Sequence, residues 1–140
     1  MKIYATFLLC VLCVLVNQAQ NDATRDIVIH IENLPSNEGK IFAALYNDES
    51  SFLKKDYQGQ IANITDNSCT VTFKSVPEGV YAVSFFQDEN NNQKMDTNFM
   101  GIPKEPYGCS NNAKGFMGPP KWEDAKFEVK DQDISKTISL

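Results

Sequence analysis

Histidine occurs once in 140 residues, as His30. It lies on a stretch of alternating apolar and polar residues, and no serine or cysteine stands in a recognisable nucleophile motif, so nothing specific supports a Ser-His-Asp site. Basic residues are scarce too, with 13 Lys and Arg against 18 Asp and Glu. Loss of a leader carrying Lys2 leaves 12 against 18, a formal charge of −6, which argues against nucleic acid or an anionic membrane as partner. A long helical pattern and an internal repeat are both missing. The apolar run Ile3–Val16 falls short of the roughly 20 residues that a membrane span requires.

What is present begins with that run. MKIYATFLLCVLCVLVNQAQ carries one charge at Lys2, then apolar residues, then polar Asn17 and Gln18 around the small Ala19. This pattern predicts a secretory signal peptide over residues 1–19 and export of residues 20–140 to the periplasm or the cell exterior, with no membrane insertion after cleavage. Cys10 and Cys13 lack the small residues of a lipoprotein site and leave with the leader. Cys69 and Cys109 then remain in an oxidising compartment, either paired as a disulfide or, for Cys69, buried as a small hydrophobe. Roughly 120 residues suit a single domain with one core.

Period-two alternation marks Asp26–Leu34, with Ile27, Ile29 and Ile31 on one face. KIFAALYN, from Lys40 to Asn47, is apolar on both faces, as a central strand would be. NDESSFLKKDYQGQ reads as irregular. Ile61–Thr65 and Ser68–Val76 read as a hairpin about Asp66 and Asn67, with Cys69, Val71 and Phe73 sharing a face. Tyr81–Gln87, Lys126–Val129 and Ile134–Leu140 complete about seven strands. Such spacing predicts an all-β antiparallel sandwich.

Between Asp88 and Trp122 the strand pattern stops for more than thirty residues, unusually long for a compact domain. Met95, Phe99, Met100, Ile102, Tyr107, Phe116, Met117 and Trp122 make this stretch too apolar for a solvated linker, so it is expected to be one long ordered loop folded over an end of the sandwich. Asp88, Asn90, Asn92 and Asp96 stand at the first, third, fifth and ninth places of a calcium-type loop, and Lys94 offers a carbonyl at the seventh. Gln93 replaces the glycine of such loops and Phe99 their final Glu, which leaves Glu105 or a backbone carbonyl to supply a further ligand and makes Ca²⁺ binding weak. An Asn-rich structural turn is the competing reading. Gly101–Gly108 and Gly115–Pro120 read as stiff, proline-bearing straps. They either pack Tyr107 and Trp122 onto the sandwich or present them as an aromatic platform for a ligand.

YAVSFFQDENNNQKMDTNFMGIPKEPYGCSNN, followed by GPPKWEDAKFEV, resembles the signature of a secreted bacterial family known only as domain of unknown function 2141. The resemblance runs from the first strand to Val129. It implies an immunoglobulin-like or transthyretin-like sandwich and, with the Ala19-Gln20 exit, a Gram-negative source, in which Asn63-Ile-Thr would not be glycosylated. The family carries no established activity. This chain departs from its usual pattern at Gln87, where His is common, at Gln93, where Gly is common, and at Cys109, where an aromatic is common.

The leading functional expectation is an exported, non-catalytic binding or envelope-associated module that presents the 88–122 loop to a glycan, a peptide or an envelope protein. A carboxylate- or metal-dependent enzyme using Asp88, Asp96 and Glu105 is the first alternative. A purely structural envelope or oligomer component is the second.

Overall fold

The computed structural model describes residues 22–140, so the predicted leader and its cleavage site lie outside the described residues. Alternation in the first strand does what period two dictates. β1 (Thr24–Glu32) turns Ile27, Ile29 and Ile31 fully inward and leaves Val28 and His30 half-buried on the other face. β4 (Cys69–Pro77) runs antiparallel to it, setting Val71 opposite Ile29 and Phe73 opposite Ile27. β8 (Ile134–Ser139) flanks the other side of β1 and runs parallel to it, with Ile27 opposite Ile134. The sheet order is therefore β4-β1-β8. This parallel pair is the one departure from the antiparallel expectation.

The second sheet is antiparallel throughout. Its order is β3 (Gln58–Asn63), β2 (Lys40–Tyr46), β5 (Gly79–Asp88) and β6 (Tyr107–Cys109), while β7 (Phe127–Val129) pairs with the start of β5. Ile41, Ala43 and Leu45 of β2 and Tyr81, Val83 and Phe85 of β5 meet the isoleucines of β1 between the sheets. Burying each such isoleucine, leucine or phenylalanine contributes roughly 1.5–3 kcal/mol, so this shared core holds the two layers together. The molecule is a two-sheet β-sandwich, as the strand pattern predicts.

Two local expectations are corrected. The turn at Asp66-Asn67 has the left-handed φ values of a tight hairpin turn, 52° and 55°, with reciprocal backbone bonds between Thr65 and Ser68. Its arms nevertheless part beyond that bridge. β3 pairs with β2 in one sheet and β4 with β1 in the other, so the turn is a corner between layers. Val71 and Phe73 find their apolar partners on β1, whereas the polar, exposed start of β3 is suited to an edge. The 88–122 connection is also not a single loop. It contributes strand β6 to the edge of the five-stranded sheet, a 3-10 turn over Ser110–Asn112, and the one-turn helix α1 (Trp122–Ala125).

Candidate functional site

Strands β2 and β5 carry apolar residues on their second face as well, and that face looks away from the shared core. Register places Phe42 between Ile61 and Phe86, and Phe86 between Phe42 and Tyr107, so four large apolar side chains cross the sheet in one row. The Phe42 and Phe86 rings stack with centroids 5.4 Å apart. Ile61 and Tyr107 at the ends of the row are 59% and 44% exposed. The neighbouring row is small: Gly59, Ala44, Ser84 and Cys109. Large beside small makes a trough of about 590 Å³, lined by Phe42, Ala44, Tyr46, Asp56, Gln60 and Phe86 among others. The Tyr46 hydroxyl shares a 3.1 Å hydrogen bond with Ser84 Oγ. Burial pushes the Tyr46 phenol above its ordinary value, so the pair lines the trough as neutral hydroxyls.

Tyr46, which lines the trough, also belongs to a second apolar cluster with Phe52, Ala82, Cys109, Trp122 and Ala125. Phe52 lies edge-on to Tyr46 at 5.3 Å and to Trp122 at 5.7 Å. It is brought there by a turn that Asp48 closes, accepting the Ser51 N–H at 3.0 Å and the Ser51 hydroxyl at 2.7 Å. Of the two aromatics expected to offer a ligand surface, Tyr107 stands at the end of the exposed row, whereas Trp122 is only 9% exposed and seals the cluster. Phe42, Phe86 and Ile61 were not singled out from sequence. The signal available was the double-faced apolarity of β2, which reports a second packed face as well as a central position.

The 88–96 loop is curled by local side-chain-to-backbone bonds, and each side-chain oxygen of Asp88, Asn90, Asn92 and Asp96 has a partner. Asp88, 1% exposed, accepts the N–H groups of Asn92 at 3.1 Å and Gln93 at 2.8 Å. Asn90 and Asn92 both donate through Nδ2 to Asp96, the latter at 2.8 Å. Lys94 enters through its N–H, which donates to Asn92 Oδ1 at 3.0 Å. Glu105 comes to the loop from sixteen residues beyond Glu89, but it accepts the N–H groups of Glu89 at 3.1 Å and Asp96 at 3.0 Å. Among the described residues no group of three or more His, Cys, Asp or Glu side chains is placed to hold a metal ion. A hard cation at this loop would have to draw on the Asp88 and Asp96 carboxylates and the Asn oxygens between them, in place of the hydrogen bonds they now accept.

The motif residues farther along fasten the connection to the sandwich. Gly108 packs so closely on Phe85 that a Cβ there would come within 2.7 Å of the ring. Ser110 is fully buried, and its Oγ accepts the Val83 N–H at 3.0 Å and donates to the Ala125 carbonyl. Its side chain thus takes the place of a strand partner where β6 ends. Asn111, at φ 60°, donates to the carbonyls of Asp124 and Lys126. Gln87, fully buried, donates to the carbonyls of Ser36 and Glu38 and to Ser36 Oγ, while its Oε1 has no partner. His30 shares a 3.1 Å bond with Thr70 on the three-stranded sheet, apart from these carboxylates.

Among the described residues the cysteines are Cys69 and Cys109, and both are free thiols. Cys69 packs against the core between the sheets, and Cys109 lies in the cluster on the outer face, so the five-stranded sheet separates them. Burial raises Cys69 to about 11 and Cys109 to about 12.

These features define an all-β sandwich in which one long connection, fastened by Asp88, Glu105, Gly108 and Ser110, adds a strand and a cover to one sheet. The chain belongs to the family described as "Uncharacterized protein conserved in bacteria" (DUF2141), which matches residues 29–137. No curated protein and no solved structure matches it.

Proposed function

We propose that this chain is an exported, non-catalytic binding module whose ligand lies in the trough on the outer face of the five-stranded sheet. One observation carries the reading: the Ile61–Phe42–Phe86–Tyr107 row stands beside a row of small residues and is left uncovered, whereas the other half of the same face is sealed by Phe52 and Trp122. An apolar wall with a few convergent polar groups is the ordinary makeup of a ligand site. Here those groups are the Asp56 carboxylate, the Gln60 amide and the Tyr46–Ser84 hydroxyls. That mixture suits a glycan, with a peptide or an exposed segment of an envelope protein as the other partners to try. The enzyme reading has less support, because the carboxylates it needs are occupied: Asp88 and Glu105 by backbone N–H groups and Asp96 by the side-chain amides of Asn90 and Asn92. Amide-resolved NMR titration with soluble oligosaccharides and extended peptides tests the site. Shifts are expected on β2, β3, β5 and β6 and their loss in Phe86→Ala; shifts confined to other elements would overturn the assignment.

Weak Ca²⁺ binding by the 88–96 loop belongs to the same proposal. Its support is the convergence of the Asn90 and Asn92 side chains on Asp96. An ion there would share the Asn oxygens and displace their amide donors from Asp96. Constants of about 10⁻⁴–10⁻³ M are usual for extracellular sites, and Gln93 in place of glycine puts this one at the weak end. Calorimetric titration of the wild type and Asp88→Ala decides it: heat lost in the variant supports the ion, and no heat in the wild type removes it.

A further inference from the structure

We propose that the β6 edge of the five-stranded sheet docks onto an anionic phospholipid surface. Phe99, Phe116 and Met117 are 95%, 92% and 94% exposed, and Met100 and Ile102 are 65% and 53% exposed. Single exposed apolar residues are unremarkable, but several fully solvated ones in a short segment mark an interaction surface. One pattern, Phe-Met-Gly-x-Pro, builds both tips, first over Phe99–Pro103 and again over Phe116–Pro120. The first tip is held in shape. Asn98 Oδ1 accepts the N–H groups of Met100 and Ile102 at 2.9 and 3.0 Å, and the Asn98 N–H donates to the Ile102 carbonyl at 2.9 Å. Thr97 bridges Pro103, and Gly101 sits at φ 77° with open space on its Cβ side. The backbone bonds are thus satisfied locally while the apolar side chains point into solvent.

Both tips flank one edge strand. The first lies just before β6 and the second follows it through Ser110–Asn112, and β6 is the outermost strand of its sheet next to β5. Tyr107, on that strand, is also exposed. The charge here runs against that of the whole chain. Lys94, Lys104, Lys114 and Lys121 are all exposed, and against them residues 94–121 hold only Asp96 and the buried Glu105. The segment is therefore +2 (4 − 2), and the rest of residues 20–140 carries −8 (−6 − 2). Among the described residues none of these four lysines forms a salt bridge.

Two convex tips of the same chemistry favour lipid over protein. A protein partner would need two matching pockets at a fixed spacing, whereas a bilayer offers the same apolar layer to both tips. Lysines beside the tips then lie level with the phosphates. Neither signal suffices alone, and stable attachment takes an apolar insertion together with a basic patch. The proposal rests on the tips and not on the trough.

Sedimentation of the mature exported protein with phosphatidylcholine vesicles, with and without phosphatidylglycerol, tests it. Binding is expected only with the anionic lipid and is expected to weaken as salt rises. Each of Lys104→Ala, Lys114→Ala and Lys121→Ala should lower the partition constant about five-fold. The pair Phe99→Ser with Phe116→Ser should reduce binding to background while its thermal melt stays that of the wild type, since both rings lie outside the packed core. Absence of vesicle binding overturns the proposal, as does binding that the phenylalanine pair does not reduce. Self-association without vesicle binding, lost in the same pair, would assign the tips to a second copy and overturn it equally.

Discussion

Glu105 Oε2 accepts the backbone N–H of Asp96 at 3.0 Å, while its other oxygen holds the N–H of Glu89. One buried carboxylate therefore ties the two ends of the 89–96 loop together. Charge-assisted bonds of this kind contribute about 1.5–3 kcal/mol each, and deleting the acceptor strands two donors. Glu105→Ala is expected to cost about 3 kcal/mol in chemical denaturation. Glu105→Gln, which retains one acceptor oxygen, should cost about half as much. Equal losses in the two variants would mean that packing, not the paired oxygens, sets the effect.

Ser110 makes a second prediction. Its removal leaves the Val83 N–H and the Ala125 carbonyl without their partner in a region sealed from water. Ser110→Ala should destabilise by about 1–3 kcal/mol, and Ser110→Cys should not restore the loss because sulfur is a weak acceptor. Hydrogen exchange at Val83 is the direct readout, and it should accelerate in both variants.

Gln93 adopts φ 64°, a left-handed conformation that costs a residue with a Cβ about 1–2 kcal/mol. Glycine removes that strain but adds freedom to the unfolded chain. Gln93→Gly should therefore stabilise by a net of about 0.5–1 kcal/mol, read as a rise in melting temperature of about 2–4 °C. An unchanged or lowered melting temperature would show that the Gln93 side chain contributes more than its backbone strain costs.

The thiols predict a pH dependence. Burial raises Cys69 to about 11 and Cys109 to about 12, above the unfolded value of 9.0. Below pH 9 the protonated thiol is present in both states, and this contribution to stability is complete. Above it the unfolded chain ionises first, so stability falls as pH rises from 9 toward 11, and buried Tyr46 and Tyr81 add to the same slope. Denaturation midpoints measured across that range should fall, less steeply in a Cys69→Ser, Cys109→Ser double variant. Two free thiols should be titrated once the protein is unfolded without reductant.

Particular residues show how much of this was legible in the sequence. The inward face of β1 could be read directly, because Ile27, Ile29 and Ile31 recur at every second position against Asp26, Val28, His30 and Glu32, and period two has one physical meaning. The Asp66-Asn67 turn was equally plain, since left-handed φ favours those residue types. Which strands the turn joined was not legible, because pairing depends on partners remote in the chain, and the apolar face of β4 chose Ile27–Ile31 over the adjacent β3. In the site, the spacing of Asp88, Asn90, Asn92 and Asp96 suggested calcium ligands or an Asn-rich turn, and both place these oxygens on the inside of a tight bend, where the structure has them bonded to neighbouring N–H groups. Glu105 was singled out as an added ligand for that loop, and it reaches it as an acceptor for backbone N–H groups. The double-faced apolarity of β2 hinted at a second packed face, but which residues line up in the Phe42–Phe86 row depends on cross-strand register, which no local pattern encodes. Trp122 has the composition of a ligand platform, and only its packing against Phe52 reveals that it is a seal.

The parallel pairing of β8 with β1 also sets how the chain must fold. Ile27 waits for Ile134, more than a hundred residues later, so the three-stranded sheet cannot close until β8 has been made. Contacts that remote slow the search for the native state, and sandwiches dominated by them fold in milliseconds to seconds. Until then β1 presents a row of isoleucines and an unpaired edge, the condition in which strands join those of another molecule. Removing the last seven residues would make that state permanent, and the shortened chain should accumulate as aggregate.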